Sequence, residues 1–159
     1  MPKAAVITVS DRCSRGESVD SSGPALRQFL EANGFQVVAV EIVPDEVEQI
    51  QAMLIRHCAT AELVVTTGGT GIAARDVTPE ATRGVCTRLV EGVSERMRAE
   101  GAKKTPLAAL SRGLCGIRGR SLILNVPGSP KGAVESLSAV FGLLPHALDL
   151  LRGHTAHSA

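Results

Sequence analysis

The segment TTGGTGIAARDVTPEAT, residues 66–82, sets Gly68, Gly69 and Gly71 beside Thr67 and Thr70, with Arg75 and Asp76 a few positions on. Glycine lets backbone N–H groups approach a ligand with no side chain in the way, and threonine adds hydroxyl donors, a combination suited to phosphate oxygens. It is neither a GxxxxGKS loop nor a GxGxxG dinucleotide fingerprint. A tight strand-to-helix connection is the other use of such a turn, and a loop that also carries Arg75 and Asp76 is longer than a connection needs. A second segment, DSSGP (20–24), places Asp20, Ser21, Ser22 and Gly23 where a helix begins. Free N–H groups and the positive dipole end favour an anion there, unless Asp20 or Ser22 simply caps the helix. A third, PGSPKG (127–132), again sets Gly128 and Ser129 before a helix, with Lys131 either meeting a phosphate or projecting into solvent.

Two carboxylates complete the set. Asp45 and Asp76 fall in neighbouring loops, and one or two carboxylates facing bound phosphates are what a magnesium ion usually takes from protein. Each has a plainer alternative: Asp45 could cap the helix that follows, with Glu48 three residues on as in a capping box, and Asp76 could pair with Arg75 or the backbone. His57, His146, His154 and His157 show no catalytic spacing.

These segments need a scaffold, and the apolar pattern supplies one. Residues 4–9 (AAVITV), 35–43 (FQVVAVEIV), 63–67 (LVVTT) and 121–126 (SLILNV) predict strands. The first, third and fourth are nearly continuous in apolar character, as for strands covered on both faces of a parallel sheet. Helical spacing lies between them: residues 24–32, a stretch after Asp45, one from Thr78 toward Arg88, 90–100, a short turn after Pro106, 131–142 and 144–151. The alternation predicts an α/β fold, a three-layer α/β/α sandwich around a mainly parallel sheet. In such sheets ligands bind beyond the carboxyl ends of the strands. That rule selects the loops at 10–23, 44–45, 66–80 and 127–132. Residues 1–152 read as one domain, and 153–159 as a loose tail.

Composition narrows the ligand. Seventeen Lys plus Arg against sixteen Asp plus Glu leave a net charge of +1 on 159 residues. That balance argues against a nucleic-acid groove or an anionic membrane surface, which need a basic excess. Three Phe and no Tyr or Trp leave no stacking platform for single-stranded bases. Cys13, Cys58, Cys86 and Cys115 form no CxxC pair, so a zinc or iron-sulfur site is not expected and each reads as a small buried or half-buried residue. The start MPKAAVITVSD is too short in apolar run for a signal peptide or membrane span, which points to a cytoplasmic protein with reduced thiols.

TVSDR (8–12), DSSGP (20–24), VPDE (43–46), TTGGTG (66–71), RDVTPEAT (75–82), AALSR (108–112), GIRG (116–119) and NVPGSPKG (125–132) closely resemble, in order, the MoaB/Mog family. That family comprises molybdopterin adenylyltransferases and related molybdopterin-binding domains, including the corresponding domain of gephyrin. The resemblance implies a homotrimer that joins ATP and molybdopterin into adenylyl-molybdopterin and pyrophosphate with Mg2+, ahead of a downstream molybdate-insertion protein. It implies that Asp45 and Asp76 serve catalysis and the metal. The loop Thr67, Gly68, Gly69, Thr70, Gly71 would hold phosphate. Ser111, Gly128, Ser129 and Lys131 fall where the pterin and its phosphate are expected, and Asp20, Ser22 and Gly23 match the family's DxSGP segment. The family's other activity class is a trimeric module that binds molybdopterin or a protein partner without adenylylating. Retention of both Asp45 and Asp76 favours the enzyme. With no Tyr or Trp, a bound ring must rest on apolar side chains and backbone.

Overall fold

The computed structural model describes residues 1–153. Its elements run β1 (Lys3–Val9), α1 (Asp11–Ser14), α2 (Ser22–Ala32), β2 (Gln36–Val43), α3 (Val47–Cys58), β3 (Leu63–Thr67), α4 (Thr78–Val85), β4 (Arg88–Leu89) and α5 (Glu91–Ala102). A 3-10 turn follows (Pro106–Leu110), then β5 (Cys115–Arg118), β6 (Ser121–Val126), α6 (Pro130–Phe141) and α7 (Leu144–Leu151). From His154 onward the expected tail, with His154 and His157, lies outside the described residues.

The sheet order is β2-β1-β3-β6-β5-β4. The pairs β1·β2, β1·β3 and β3·β6 are parallel, while β5 and β4 close one edge antiparallel. Every residue of β3 and β6 is buried, as is all of β1 after Lys3. Successive side chains on a strand point to opposite faces, so each central strand feeds two cores. Ala4, Val6, Val65 and Leu124 pack with Leu26, Leu30, Leu137 and Leu144 of α2, α6 and α7. Ala5, Ile7, Val64 and Ile123 pack with Ile50, Leu54 and Ala81 of α3 and α4. Each fully buried Leu or Ile contributes about 1.5–3 kcal/mol, and both layers of helices depend on the same three strands. That is the three-layer arrangement the alternation predicts.

Strand β2 lies at the sheet edge, and its partial exposure follows from having a neighbour on one side only. All three phenylalanines meet in one cluster, with Phe29 and Phe35 edge-on to Phe141 at centroid distances of 5.3 and 5.8 Å. Cys115 is buried and the other three cysteines half-buried. Burial pushes the thiol of Cys86 up to about 11 and that of Cys115 up to about 12, so both stay protonated at neutral pH. Among the described residues no single helix is long and apolar enough to cross a membrane.

Four elements differ from the sequence expectation. The four-residue α1 stands where the pattern predicts an open loop, started by Ser10, whose Oγ accepts from the Cys13 N–H at 3.1 Å. The strands β4 and β5 have no counterpart in the apolar pattern, being short and polar or Gly-containing. Helix α3 starts one residue later than a capping Asp45 requires. Its N-cap position is Glu46, with no side-chain cap, and the Asp45 carboxylate reaches elsewhere.

Candidate active site

The carboxyl ends of β1, β3 and β6 lie side by side, and the order β2-β1-β3 reverses direction of travel between β1 and β3. This is the kind of switch point where α/β folds open a crevice. The glycine loop leaves β3 there in two consecutive residues with positive φ, Gly68 at 97° and Gly69 at 69°. A Cβ on Gly68 would run into the Val9 carbonyl oxygen, and one on Gly128 would stand 3.3 Å from the Gly68 Cα. Absent side chains therefore let the loops after β1, β3 and β6 stack backbone to backbone. Hydrogen bonds lock the stack: Gly68 N–H donates to Val126 O at 3.1 Å, Thr67 Oγ1 to Pro127 O at 2.7 Å and Thr78 Oγ1 to Gly68 O at 2.9 Å. The Thr67 hydroxyl, expected to meet phosphate, thus ties two loops together. Among the described residues no protein acceptor takes the N–H groups of Gly69, Thr70 or Gly71. Those amides are the loop's unspent donors.

Arg112 holds the far side of the loop. Its backbone N–H donates to Thr70 O at 2.7 Å, its Nε to Gly71 O at 2.8 Å and its Nη2 to Asp76 O at 2.8 Å. Its guanidinium also grips both carboxylate oxygens of Glu80, at 2.6 and 3.2 Å, which keeps the Glu80 carboxyl below its ordinary range. Asp76 closes a turn by accepting from the Ala73 N–H at 3.0 Å.

The acidic groups gather on the side of β2. Asp11 and Asp45 bond reciprocally: Asp11 N–H donates to Asp45 Oδ2 at 2.9 Å and Asp45 N–H to Asp11 Oδ1 at 3.0 Å. Asp45 Oδ1 faces Gly69, 3.1 Å from where its Cβ would stand, and Asp76 Oδ2 comes within 2.9 Å of the Cβ position of Gly71. Burial, joined by the negative charges of Asp11 and Asp76, raises the Asp45 carboxyl above its ordinary value, against the lowering effect of the Asp11 N–H. Arg75 grips Asp11 in a fork at 3.0 Å for each bond and reaches Glu46 at 2.9 Å; its hydrogen bond is the chief reason the Asp11 carboxyl titrates low.

The donor set fits a magnesium ion completed by substrate. Asp45 and Asp76 are hard oxygen donors close enough for the charge of Asp76 to act on Asp45, and both border the glycine loop. Among the described residues no group of three His, Cys, Asp or Glu side chains forms a self-sufficient metal cage. Magnesium rarely uses one.

A stability test follows from the raised Asp45. A carboxylate whose folded pKa exceeds its ordinary value of 3.8 destabilises the fold once ionised. The penalty shrinks as pH falls through the raised value and is gone below the ordinary one. Asp45→Asn, whose Oδ1 can still accept from the Asp11 N–H, is expected to melt above the parent protein near pH 7. Melting curves at falling pH should bring the two together near the ordinary carboxylate value. A lower melting temperature for the variant at neutral pH would contradict the assignment.

On its other face the glycine loop borders a cavity of about 640 Å³, walled by α5, the 3-10 turn and α6. Of the residues expected at the site, Thr70, Gly71, Ser111 and Ser129 line it. Ser129 Oγ caps α6 by accepting from the Gly132 N–H at 3.1 Å, which leaves its hydroxyl hydrogen free for a ligand. Ser111 Oγ accepts from the Gly113 N–H at 3.3 Å and retains the same freedom. Lys131 is exposed at the start of α6, and Gly128 lies under Gly68.

Asp20, Ser22 and Gly23 do not line the cavity. The Asp20 carboxylate accepts from Thr8 Oγ1 at 2.9 Å, from the Gly23 N–H at 3.0 Å and from Ser22 Oγ at 3.5 Å, capping α2 against β1. The N-cap position itself is Ser21, with no side-chain cap, and Asp20 acts from one residue before it. Two features are absent from the sequence reading: the cavity's apolar wall of Leu107 and Leu110, and Arg98, which lies outside that cavity's lining and donates to Gly113 O at 3.0 Å and to Ser111 O at 3.4 Å. The run PLAAL carries a signal for the first, apolar residues on every side of a turn too short to be buried.

Residues 5–146 match the family described as a probable molybdopterin-binding domain. The molybdopterin adenylyltransferase of Helicobacter pylori strain J99 is 45% identical over 153 residues, covering 94% of this chain and 87% of its own. The molybdenum cofactor synthesis protein cinnamon of Drosophila melanogaster is 47% identical over 149 residues, covering 92% of this chain but 25% of its own. The molybdopterin biosynthesis enzyme MoaB of Thermus thermophilus superposes with a TM-score of 0.90 at 52% identity, covering 96% of this chain and 98% of that one.

Proposed function

Since the chain belongs to the molybdopterin-binding family that includes the molybdopterin adenylyltransferases, we propose that it transfers AMP from ATP to the terminal phosphate of molybdopterin. The observation that carries this reading is the two-sided glycine loop. One face of Thr70 and Gly71 borders the cavity, and the other side of Gly69 and Gly71 borders Asp45 and Asp76. A pterin in the cavity and a nucleotide over the carboxylates would meet at the unspent amides.

The chemistry asks little of the side chains as acids or bases. The molybdopterin phosphate is already ionised at neutral pH, so no base has to activate it. Its oxygen bonds to the α-phosphorus of ATP as the bond from that phosphorus to the β-bridging oxygen breaks, and pyrophosphate leaves with the electron pair. The chain's contribution is alignment and charge. The N–H groups of Gly69, Thr70 and Gly71 face the phosphoryl oxygens, the Ser111 and Ser129 hydroxyls orient the pterin end, and Arg112 keeps the loop from yielding. Asp45 and Asp76 would hold magnesium, which when bound offsets the charge of the clustered phosphates. Apolar Leu107 and Leu110 offer the ring a surface in the absence of Tyr and Trp.

The test is pyrophosphate release from ATP that depends on both molybdopterin and Mg2+. Binding of molybdopterin with no magnesium-dependent binding of ATP would assign the chain to the non-catalytic class instead. We further propose that the chain acts as one domain over residues 1–152, as a cytoplasmic homotrimer that hands its product to a molybdate-insertion protein. Sedimentation equilibrium reads the assembly state.

A further inference from the structure

Pyrophosphate departs with most of the negative charge of the nucleotide, and a site balanced as this one needs a cation for it. Two guanidinium groups stand near the glycine loop, Arg112 on its far side and Arg75 among the acidic groups. Arg112 is committed: its guanidinium donates to the fixed backbone carbonyls of Gly71 and Asp76 as well as to Glu80. Arg75 is held without backbone. Its side chain is 55% exposed, and its partners are the side chains of Asp11 and Glu46, not backbone. The single bond to Glu46 is an exposed pair and weak, and the fork on Asp11 shows that the guanidinium is already set for bidentate oxygens, of which a phosphate offers the more highly charged set. Position adds to chemistry. The turn that fixes Asp76 through the Ala73 N–H carries Arg75 one residue before it, and the Arg75 side chain spans from the loop after β3 to those after β1 and β2. Its charge also acts on Asp45.

Resting on the adenylyl-transfer reading, we infer that Arg75 receives the β- and γ-phosphates of the nucleotide, exchanging Glu46 and Asp11 for phosphate oxygens. The two carboxylates then act as a resting place that keeps the guanidinium beside Asp45 while no nucleotide is bound. AMP, which lacks both phosphates, makes no use of it.

Titration calorimetry of the full chain with ATP and with AMP, each with Mg2+, tests the assignment. Arg75→Gln is expected to weaken ATP about 10- to 100-fold while AMP stays within about twofold. Arg75→Lys, which keeps the charge without the fork, should lose roughly three- to tenfold for ATP. It serves the same comparison if the Gln variant does not fold. Glu46→Gln removes a competitor and should tighten ATP about two- to threefold. Equal weakening of ATP and AMP, or none, in the Arg75 variants would overturn the inference, as would looser ATP in Glu46→Gln. A parent protein that binds neither nucleotide would overturn the adenylyl-transfer reading itself, and this inference with it.

Discussion

Asp76→Asn is expected to keep the fold and lose about 100-fold or more in turnover, the scale of removing one preorganised electrostatic group. The structural part of Asp76 is a hydrogen bond accepted from the Ala73 N–H, and an asparagine Oδ1 can accept it equally well. Arg112 holds the Asp76 carbonyl, not its carboxylate, so the loop keeps that anchor too. What disappears is the charge beside Gly71. Melting temperature should therefore stay close to the parent value while pyrophosphate release collapses and its dependence on Mg2+ concentration moves upward. Turnover near that of the parent would remove Asp76 from the chemistry. A large drop in melting temperature would show that the carboxylate has a structural duty that asparagine cannot fill.

Gly68→Ala should be the most damaging single methyl in the loop. Its φ of 97° lies in a region that side chains rarely adopt, and the new Cβ would meet the Val9 carbonyl, which is part of β1 and cannot swing aside. Strain of roughly 1–3 kcal/mol is joined by that clash, for a loss of about 3 kcal/mol or more. At about 2–4 °C per kcal/mol for a chain of this size, the melting temperature should fall by roughly 6–12 °C. Gly16 is the control. It also has positive φ, 74°, but its Cβ would meet nothing within 4 Å, so Gly16→Ala should show the strain alone. Equal losses for the two would mean that the close stacking of loops at Gly68 contributes nothing.

The contrast between what the residues foretell and what they hide has physical causes. Strands β1, β3 and β6 are legible because burial on both faces forces a continuous apolar run, and β3 and β6 match their expected bounds residue for residue. Strands β4 and β5 are hidden because a two-residue strand and one containing Gly116 owe their existence to pairing with each other and with β6, a tertiary cause. The glycine loop announces itself through composition, yet composition cannot say that the Thr67 hydroxyl serves Pro127 rather than a ligand. Asp45 looks like a cap because Glu48 follows it. The partner that redirects it, the N–H of Asp11, is 34 positions away and local pattern cannot see it. Arg75 and Arg112 are recognisable as charges near the site, but pattern cannot tell that carboxylates receive the first while fixed backbone carbonyls also receive the second.

The packing of Phe29, Phe35 and Phe141 against one another has an optical consequence. With no tyrosine or tryptophan anywhere in the chain, the protein is nearly transparent in the near ultraviolet, and its residual aromatic signal comes from one rigid cluster between α2, β2 and α6. Adenine and pterin both absorb in that dark window. Their absorption when bound can be recorded with almost no contribution from the polypeptide, so the substrates themselves become the reporters of the surroundings in which they bind.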